Sequence, residues 1–253
     1  MNPLPWNQGI KAIMSSHVVV CNPSHSLKSA AKRMLSTGYR RLPAVKGSRL
    51  HGMLTAVDIL SHLLKNGSMN VPVSRVMCNP YIINSGTCIR HTYHLFHVLM
   101  RGGYPVMTNG KLEGMVTDFD LLALLGKKSK IKVREAMTHK PFFISPYTSC
   151  LDAAKIMAKS GTRRLLVMDE EKLDGIITPS DILLSSMEGR PFKKSIDGVF
   201  STALAATSPN ESISHAAAIM KSKSLGGLPV MEKSRVVGII TERDIMECLR
   251  LAK

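Results

Sequence analysis

The chain has 253 residues, 44% of them hydrophobic and only 5% aromatic, so aliphatic side chains and 16 methionines must fill its core. With 34 Lys and Arg against 18 Asp and Glu, its net charge of +16 favours anionic partners, whether nucleotides, nucleic acid or an acidic protein surface. Cys21, Cys78, Cys88, Cys150 and Cys248 form no C-x-x-C pair, no apolar run is long enough to cross a bilayer, and no signal-peptide pattern opens the chain, which argues against a disulfide framework, a zinc site and a membrane partner and leads us to expect a soluble cytoplasmic protein.

Residues 1–13 read as a lead-in, with Trp6 set among prolines and polar residues and expected to pack on a neighbouring unit or a partner. From Met14, the β-branched run His17-Val18-Val19-Val20 reads as a strand and Asn22-Pro23-Ser24 as a turn. Ser26 then opens a helix whose apolar face is Leu27, Ala30, Ala31, Met34 and Leu35, and Gly38 closes it. Leu42 to Val45 and Leu50 to Leu54 form a hairpin across Gly47-Ser48, and a second helix runs from about Ala56 to Leu64. The order strand, helix, strand, strand, helix returns from Met77, with Tyr81-Ile82-Ile83, a helix through Leu95 and Met100, and strands Tyr104 to Met107 and Lys111 to Val116. It returns again from Met137 and from about Phe200.

Each round ends on a version of one seven-residue pattern that keeps Gly, Thr and Asp: Gly52-Met53-Leu54-Thr55-Ala56-Val57-Asp58, Gly114-Met115-Val116-Thr117-Asp118-Phe119-Asp120, Gly175-Ile176-Ile177-Thr178-Pro179-Ser180-Asp181 and Gly238-Ile239-Ile240-Thr241-Glu242-Arg243-Asp244. The glycines are 62, 61 and 63 residues apart, the signature of one supersecondary unit used four times. Locally, Thr-x-x-Asp is a helix start: the Thr is an N-cap, and the acid sits in the first turn at the positive end of the helix dipole. Pro179 suits the first helical position but removes a backbone donor from the third copy. The basic stretch Gly126-Lys127-Lys128-Ser129-Lys130-Ile131-Lys132-Val133-Arg134 is the candidate boundary between halves.

The repeats alternate. Repeats one and three align without a gap from Met14 and Met137 at an offset of 123. Where they carry Arg40-Arg41 and Arg163-Arg164, just before the second strand, repeats two and four carry Gly102-Gly103 and Gly226-Gly227. The working unit is therefore two repeats, used twice.

The βαββα order, the period and the closing Gly-h-x-Thr-x-x-Asp resemble cystathionine β-synthase (CBS) domains, four in tandem. The resemblance implies a mixed α and β fold with its repeats paired into two pseudo-twofold Bateman modules. The divisions expected are residues 14–66 and 76–126, a basic linker at 127–134, then 135–188 and 198–253. It also implies a non-enzymatic regulatory protein, prone to homodimerise, that binds adenosyl compounds (AMP, ADP, ATP or S-adenosylmethionine) in clefts between paired repeats and acts through an effector protein.

On that resemblance, an ionised Asp at a helix N-terminus can accept from both ribose hydroxyls, the Thr hydroxyl and nearby backbone N–H groups suit a phosphate, and an Arg fork neutralises a further phosphate edge. Carried over by position, Thr117 and Asp120 are completed by Arg40 and Arg41, and Thr241 and Asp244 by Arg163 and Arg164. First-strand residues Ile82 and Ala203, with Val18 and Phe142 in the secondary clefts, are candidates for the adenine slot. The secondary clefts, built on Thr55 and Asp58 or Thr178 and Asp181, face glycine pairs and are expected to lack a positive partner.

Other patterns carry less. His91, His94 and His97 are spaced by three on one helix without a third acidic or Cys ligand, so no metal site is expected. There is no G-x-S-x-G elbow and no G-x-x-x-x-G-K-[ST] loop, which argues against acyl transfer and nucleotide hydrolysis. Nucleic-acid binding through Lys127 to Arg134 and Arg190-Pro191-Phe192-Lys193-Lys194 is the alternative function, although aromatics that could stack on bases are scarce.

Overall fold

The computed structural model describes residues 6–99, 101–122, 124 and 129–249. The first repeat comprises α1 (Leu27–Thr37), β1 (Arg41–Lys46), β2 (Arg49–Thr55) and α2 (Ala56–Asn66). The second comprises β3 (Ile83–Asn84), α3 (Ile89–Leu99), β4 (Gly103–Thr108), β5 (Lys111–Thr117) and α4 (Asp118–Leu122). After the short α5 (Val133–Ala136) comes the third, with β6 (Phe143–Ile144), α6 (Cys150–Ser160), β7 (Leu165–Asp169), β8 (Lys172–Ile177) and α7 (Pro179–Met187). The fourth holds α8 (Ile213–Lys223), β9 (Gly227–Glu232), β10 (Arg235–Thr241) and α9 (Glu242–Leu249).

Local chemistry sets most of these boundaries. The Ser26 side chain accepts from the Ser29 N–H at 3.2 Å to start α1, and Gly38 ends it with φ 72°, a conformation that costs a residue with a Cβ about 1–2 kcal/mol. Pro179 takes the first position of α7, as its fixed φ favours. The expected helix through Leu95 and Met100 is α3, ending at Leu99; Met100 lies outside the described residues.

The leading strands differ from expectation. His17 to Val20 form no strand; repeat one keeps only a parallel bridge from Cys21 to Ala44, and repeat four one from Thr207 to Val230. In repeats two and three the leading strand is two residues long, with Ile83 and Phe143 as first members. The cause is connectivity. The chain divides into two compact units, residues 1–17, 81–141 and 205–253 in one and 18–80 and 142–204 in the other. The β-branched run therefore lies where the chain leaves one unit for the next, and tertiary context overrides its strand propensity.

The first unit contains repeats two and four and the second contains repeats one and three, each with arms borrowed from ahead of the neighbouring repeat. Four arms do the same thing. Each begins with one apolar residue, Ile10, Val73, Val133 or Ile196, that is 0% exposed. These residues lie in the cores of repeats two, one, four and three respectively. The N–H of each donates at 2.8 Å to a carbonyl just before a first helix: Thr87, His25, Glu211 or Thr148. Each arm then lays a doubly hydrogen-bonded bridge along the last strand of the same repeat: Ser15 with Met115, Cys78 with Met53, Thr138 with Ile239 and Ser201 with Ile176. Repeats one and two thus exchange arms, and so do three and four.

The exchange explains the repeated glycine. A Cβ added to Gly52, Gly114, Gly175 or Gly238 would stand 3.1, 2.8, 2.5 or 2.8 Å from the carbonyl oxygen of Cys78, Ser15, Ser201 or Thr138. The side chains of Met77, Met14, Phe200 and Met137 close over the same spot. A bulge interrupts the hairpin beside each glycine, bending the strand where the arm arrives. The lead-in belongs to this scheme: Ile89 and Arg90 donate to the carbonyls of Gln8 and Trp6, and Trp6 packs edge-on against Tyr93. So does the end of the basic stretch, whose Ser129 N–H donates to Ser214 Oγ at 2.9 Å and whose Lys132 bridges Ser212; Lys127 and Lys128 lie outside the described residues.

Inside each unit the second helices pack on each other, α2 on α7 and α4 on α9. Leu183 joins the core of repeat one, Leu60 that of repeat three, Leu122 that of repeat four and Met246 that of repeat two. Gly175→Ala should cost about 3 kcal/mol through overpacking under the arm, against about 1 kcal/mol for Gly161→Ala, where φ is 72° but the space is open. Ile196→Ala should cost about 2–5 kcal/mol. Urea midpoints check all three, and equal losses for the two glycine variants would remove the arm as the reason for the motif.

Candidate functional site

All four Thr-x-x-Asp segments close the same local ring. The backbone N–H of Thr55, Thr117, Thr178 and Thr241 donates to Oδ2 of Asp58, Asp120, Asp181 and Asp244 at 2.8, 2.6, 2.7 and 2.7 Å. The four hydroxyls donate to the same Oδ2 at 2.6, 2.7, 2.7 and 2.7 Å. The Asp58 and Asp244 N–H groups return bonds to Thr55 and Thr241. This is capping-box chemistry, and in it the threonine hydroxyl orients the carboxylate. On the carboxylates of Asp58, Asp120 and Asp181, Oδ2 is occupied and Oδ1 makes no hydrogen bond among the described residues, leaving acceptor capacity at the positive end of a helix.

Burial pushes the Asp120 carboxyl above its ordinary range, opposed by the Thr117 hydroxyl, by backbone hydrogen bonds and by the charge of Lys221. Asp181 is raised for the same first reason, opposed by Thr178 and by the charge of Arg40. Both cations reach across repeats inside one unit: Lys221 lies in α8 opposite α4, and Arg40 precedes β1 while Asp181 opens α7. The charge of repeat one's Arg40 thus acts on repeat three's Asp181, a positive influence that the glycine pair in the sequence did not lead us to expect there. Lys221 was not anticipated. Its only signal is that it replaces an apolar residue, aligning with Leu35 and Ala158 when the first helices are superposed from Ser26, Ser149 and Ser212.

The remaining expected site residues divide between the units. Thr117, Asp120, Thr241, Asp244 and Ile82 are in the first, with Ile82 49% exposed just before β3. Arg40, Arg41, Arg163, Arg164, Val18, Phe142 and Ala203 are in the second with Thr55, Asp58, Thr178 and Asp181. Arg41 stands opposite Thr55 in the β1–β2 register, and the carbonyl of Arg40 accepts from the Ala56 N–H at 3.1 Å. That bond ties the arginine pair to the helix start of its own motif. Arg163 and Arg164 are half-buried beside Thr162, whose hydroxyl donates to the Arg164 carbonyl. Phe142 is half exposed and its carbonyl accepts from Leu166.

Among the described residues no group of three or more His, Cys, Asp or Glu side chains could hold a metal ion, and His97 meets Glu247 of α9 at 3.1 Å. No described helix is long and apolar enough to cross a membrane.

Four repeats with exchanged arms, each closed by a glycine under an arm and an Asp-capped helix, define a protein of tandem paired modules. The CBS domain family model matches residues 10–65, 74–127, 133–188 and 196–251, and the chain belongs to that family, with four CBS domains in two Bateman modules. It is 25% identical over 272 residues to the protein MJ1225 of Methanocaldococcus jannaschii, spanning 94% of this chain and 97% of that one. The crystal structure of MJ1225 superposes with a TM-score of 0.86 over 95% of this chain and 99% of that one, at 24% identity. A conserved protein of Pyrococcus horikoshii shares the fold with a TM-score of 0.63 at 20% identity, over 95% of this chain and 99% of that one. Protein MJ0100, whose CBS domain pair was solved with 5′-methylthioadenosine and S-adenosyl-L-methionine, is 30% identical over 49% of this chain and 98% of that pair, with a TM-score of 0.45.

The raised carboxyls make a pH prediction. Because folded Asp120 holds its proton more tightly than the unfolded chain does, its contribution to stability falls as pH rises from the ordinary carboxylate range through the raised folded value. Asp120→Asn keeps an acceptor for the cap and removes the buried charge. The ligand-free variant should melt above the parent at neutral pH, with the gain fading as pH drops to the ordinary carboxylate range; melting curves across pH would show the reverse if the charged cap were net stabilising.

Proposed function

We propose that this chain is a non-enzymatic regulatory protein that senses adenine nucleotides, AMP, ADP or ATP, with S-adenosylmethionine as the other adenosyl candidate. The observation that carries this reading is the divided carboxylate. One oxygen of Asp120 or Asp181 is fixed by its own cap, the other is left as an acceptor, and a cation from another repeat stands within electrostatic reach. A ribose diol supplies the donors such an oxygen lacks, and a phosphate supplies the charge the cation lacks.

In this proposal Asp120 and Asp244 hold the ribose, oriented by Thr117 and Thr241, with Lys221 the cation at Asp120, while Arg40, Arg41, Arg163 and Arg164 serve phosphates at the carboxylates of their own unit, Asp58 and Asp181. Ile82 flanks the adenine in the first unit and Ala203 in the second. Asp58 and Asp181, oriented by Thr55 and Thr178 beside Val18 and Phe142, form secondary sites. Output runs through a separate effector protein or through self-association as a homodimer.

Isothermal titration with AMP, ADP, ATP and S-adenosylmethionine tests it. Asp120→Asn and Asp244→Asn should each weaken nucleotide binding about tenfold or more while leaving the fold intact, since a hydrogen bond to a charged group contributes about 1.5–3 kcal/mol. Unchanged affinity in the double variant removes the assignment.

The net charge of +16, with Lys193 and Lys194 exposed, supports nucleic-acid binding as the second reading. Arg190 counts less than its sequence suggested, because its guanidinium donates to the carbonyls of Ser195 and Asp197 and pins their loop. Gel retention that is strong at low salt and lost as salt rises would favour this reading.

A further inference from the structure

The turns that precede the four first helices share one design. In each, the first residue accepts from the third residue's N–H through its side chain and from the fourth residue's N–H through its carbonyl. Asn22, Asn84, Ser145 and Ser208 hold Ser24, Gly86, Tyr147 and Asn210 in this way. The third position is an open tip, which serine, glycine or asparagine fills in three repeats. Repeat three puts a tyrosine there, 76% exposed, whose hydroxyl and ring have no partner among the described residues.

Beside each turn runs the segment that leads into the arm, and its backbone is fixed in the same way. The first N–H groups of α1, α3, α6 and α8 donate to the carbonyls of Val71, Gln8, Lys194 and Ile131. Lys194 and its neighbour Lys193 thus stand where repeat one has Val71 and Asn70, repeat two Gln8 and Asn7, and repeat four Ile131 and Lys130. Repeat three is the one with a cation at both places. Both lysines are exposed, and neither side chain has a hydrogen bond or ion pair among the described residues.

These departures adjoin each other inside the second unit. Ser149 bridges Ser195 in the antiparallel sense, and the Thr148 carbonyl accepts from the Ile196 N–H at 2.8 Å. Tyr147 and the lysine pair therefore lie along one short ribbon. Phe143, just before the turn, is 49% exposed because Ile144 takes the core side and successive strand residues alternate. The nearby acids are already balanced. Asp152 accepts from the Ser149 hydroxyl at 2.7 Å and meets Lys155 at 3.5 Å, and the Arg190 guanidinium reaches the backbone of Asp197. The fold requires neither the tyrosine nor the lysine pair, since three repeats build the same turn and segment without them.

We propose that this edge of repeat three is a docking surface for single-stranded nucleic acid, with Tyr147 and Phe143 stacking on bases and Lys193 and Lys194 meeting backbone phosphates. The proposal rests on the nucleic-acid reading of the net charge and adds to it a place and a strand class. A free ring stacks on a base whose face is uncovered, which a duplex does not offer. A mononucleotide has one base and cannot use two rings and two cations set out along a ribbon. Phe142 remains with the adenine slot.

Fluorescence anisotropy with the full-length protein tests it, using labelled oligothymidylate, oligouridylate and a mixed-sequence duplex over a salt series. Both single strands should bind more tightly than the duplex at equal salt, and a preference between them identifies DNA or RNA as the natural strand. Tyr147→Ala should weaken single-strand binding about tenfold at an unchanged melting temperature, and Tyr147→Phe should keep the parent affinity. Replacing Lys193 and Lys194 together by Ala should flatten the slope of log affinity against log salt by about 1.4. Binding that survives Tyr147→Ala unchanged removes this surface and leaves the general nucleic-acid reading in place. Failure of every probe to bind at low salt removes both. A duplex bound as tightly as the single strands, or oligonucleotide displaced by AMP, also overturns the proposal, the latter by placing the strand in the nucleotide cleft.

Discussion

The close approach of a borrowed backbone to a glycine is the contact on which this protein depends. At Gly52, Gly114, Gly175 and Gly238 the carbonyl of an arm lies where a side chain would otherwise be, and two hydrogen bonds per arm hold it there. One apolar residue at the head of each arm completes the core of the repeat it visits. A single repeat therefore lacks part of its core and a strand neighbour, and each repeat of an exchanging pair completes the other. The same arms hand the chain from unit to unit, which is why the β-branched residues that follow them do not extend into full strands.

The Thr-x-x-Asp segment performs two tasks that compete for one side chain. As a cap, the carboxylate takes two donors on Oδ2 and starts a helix. As a candidate ligand group it keeps Oδ1, at the cost of a partly buried charge that raises Asp120 and Asp181.

The two units are built to different chemical specifications despite their common architecture. Where repeats one and three meet, first-helix positions 35 and 158 are Leu and Ala, and leucines of α2 and α7 seal the contact. Where repeats two and four meet, the same helix position is His97 or Lys221, and each faces an acid of the opposite repeat. Charge at that one position distinguishes the first unit from the second.

What depends on neighbours a few residues away was legible along the chain: the helices and hairpins of each repeat, the Ser26 cap, the Gly38 stop, Pro179 at a helix start and the family. The sequence also located the four carboxylates, because an Asp three residues after a Thr at a helix start is a local signature. Contacts between distant segments decided that His17 to Val20 serve as a connector, that the repeated glycine lies under an arm, that the charge of Arg40 acts on Asp181, and that Tyr93, His97, Arg101 and Arg243 line one cavity. Each of these outcomes joins residues far apart along the chain, and side-chain chemistry sets such a contact only after backbone exchange has chosen which repeats meet.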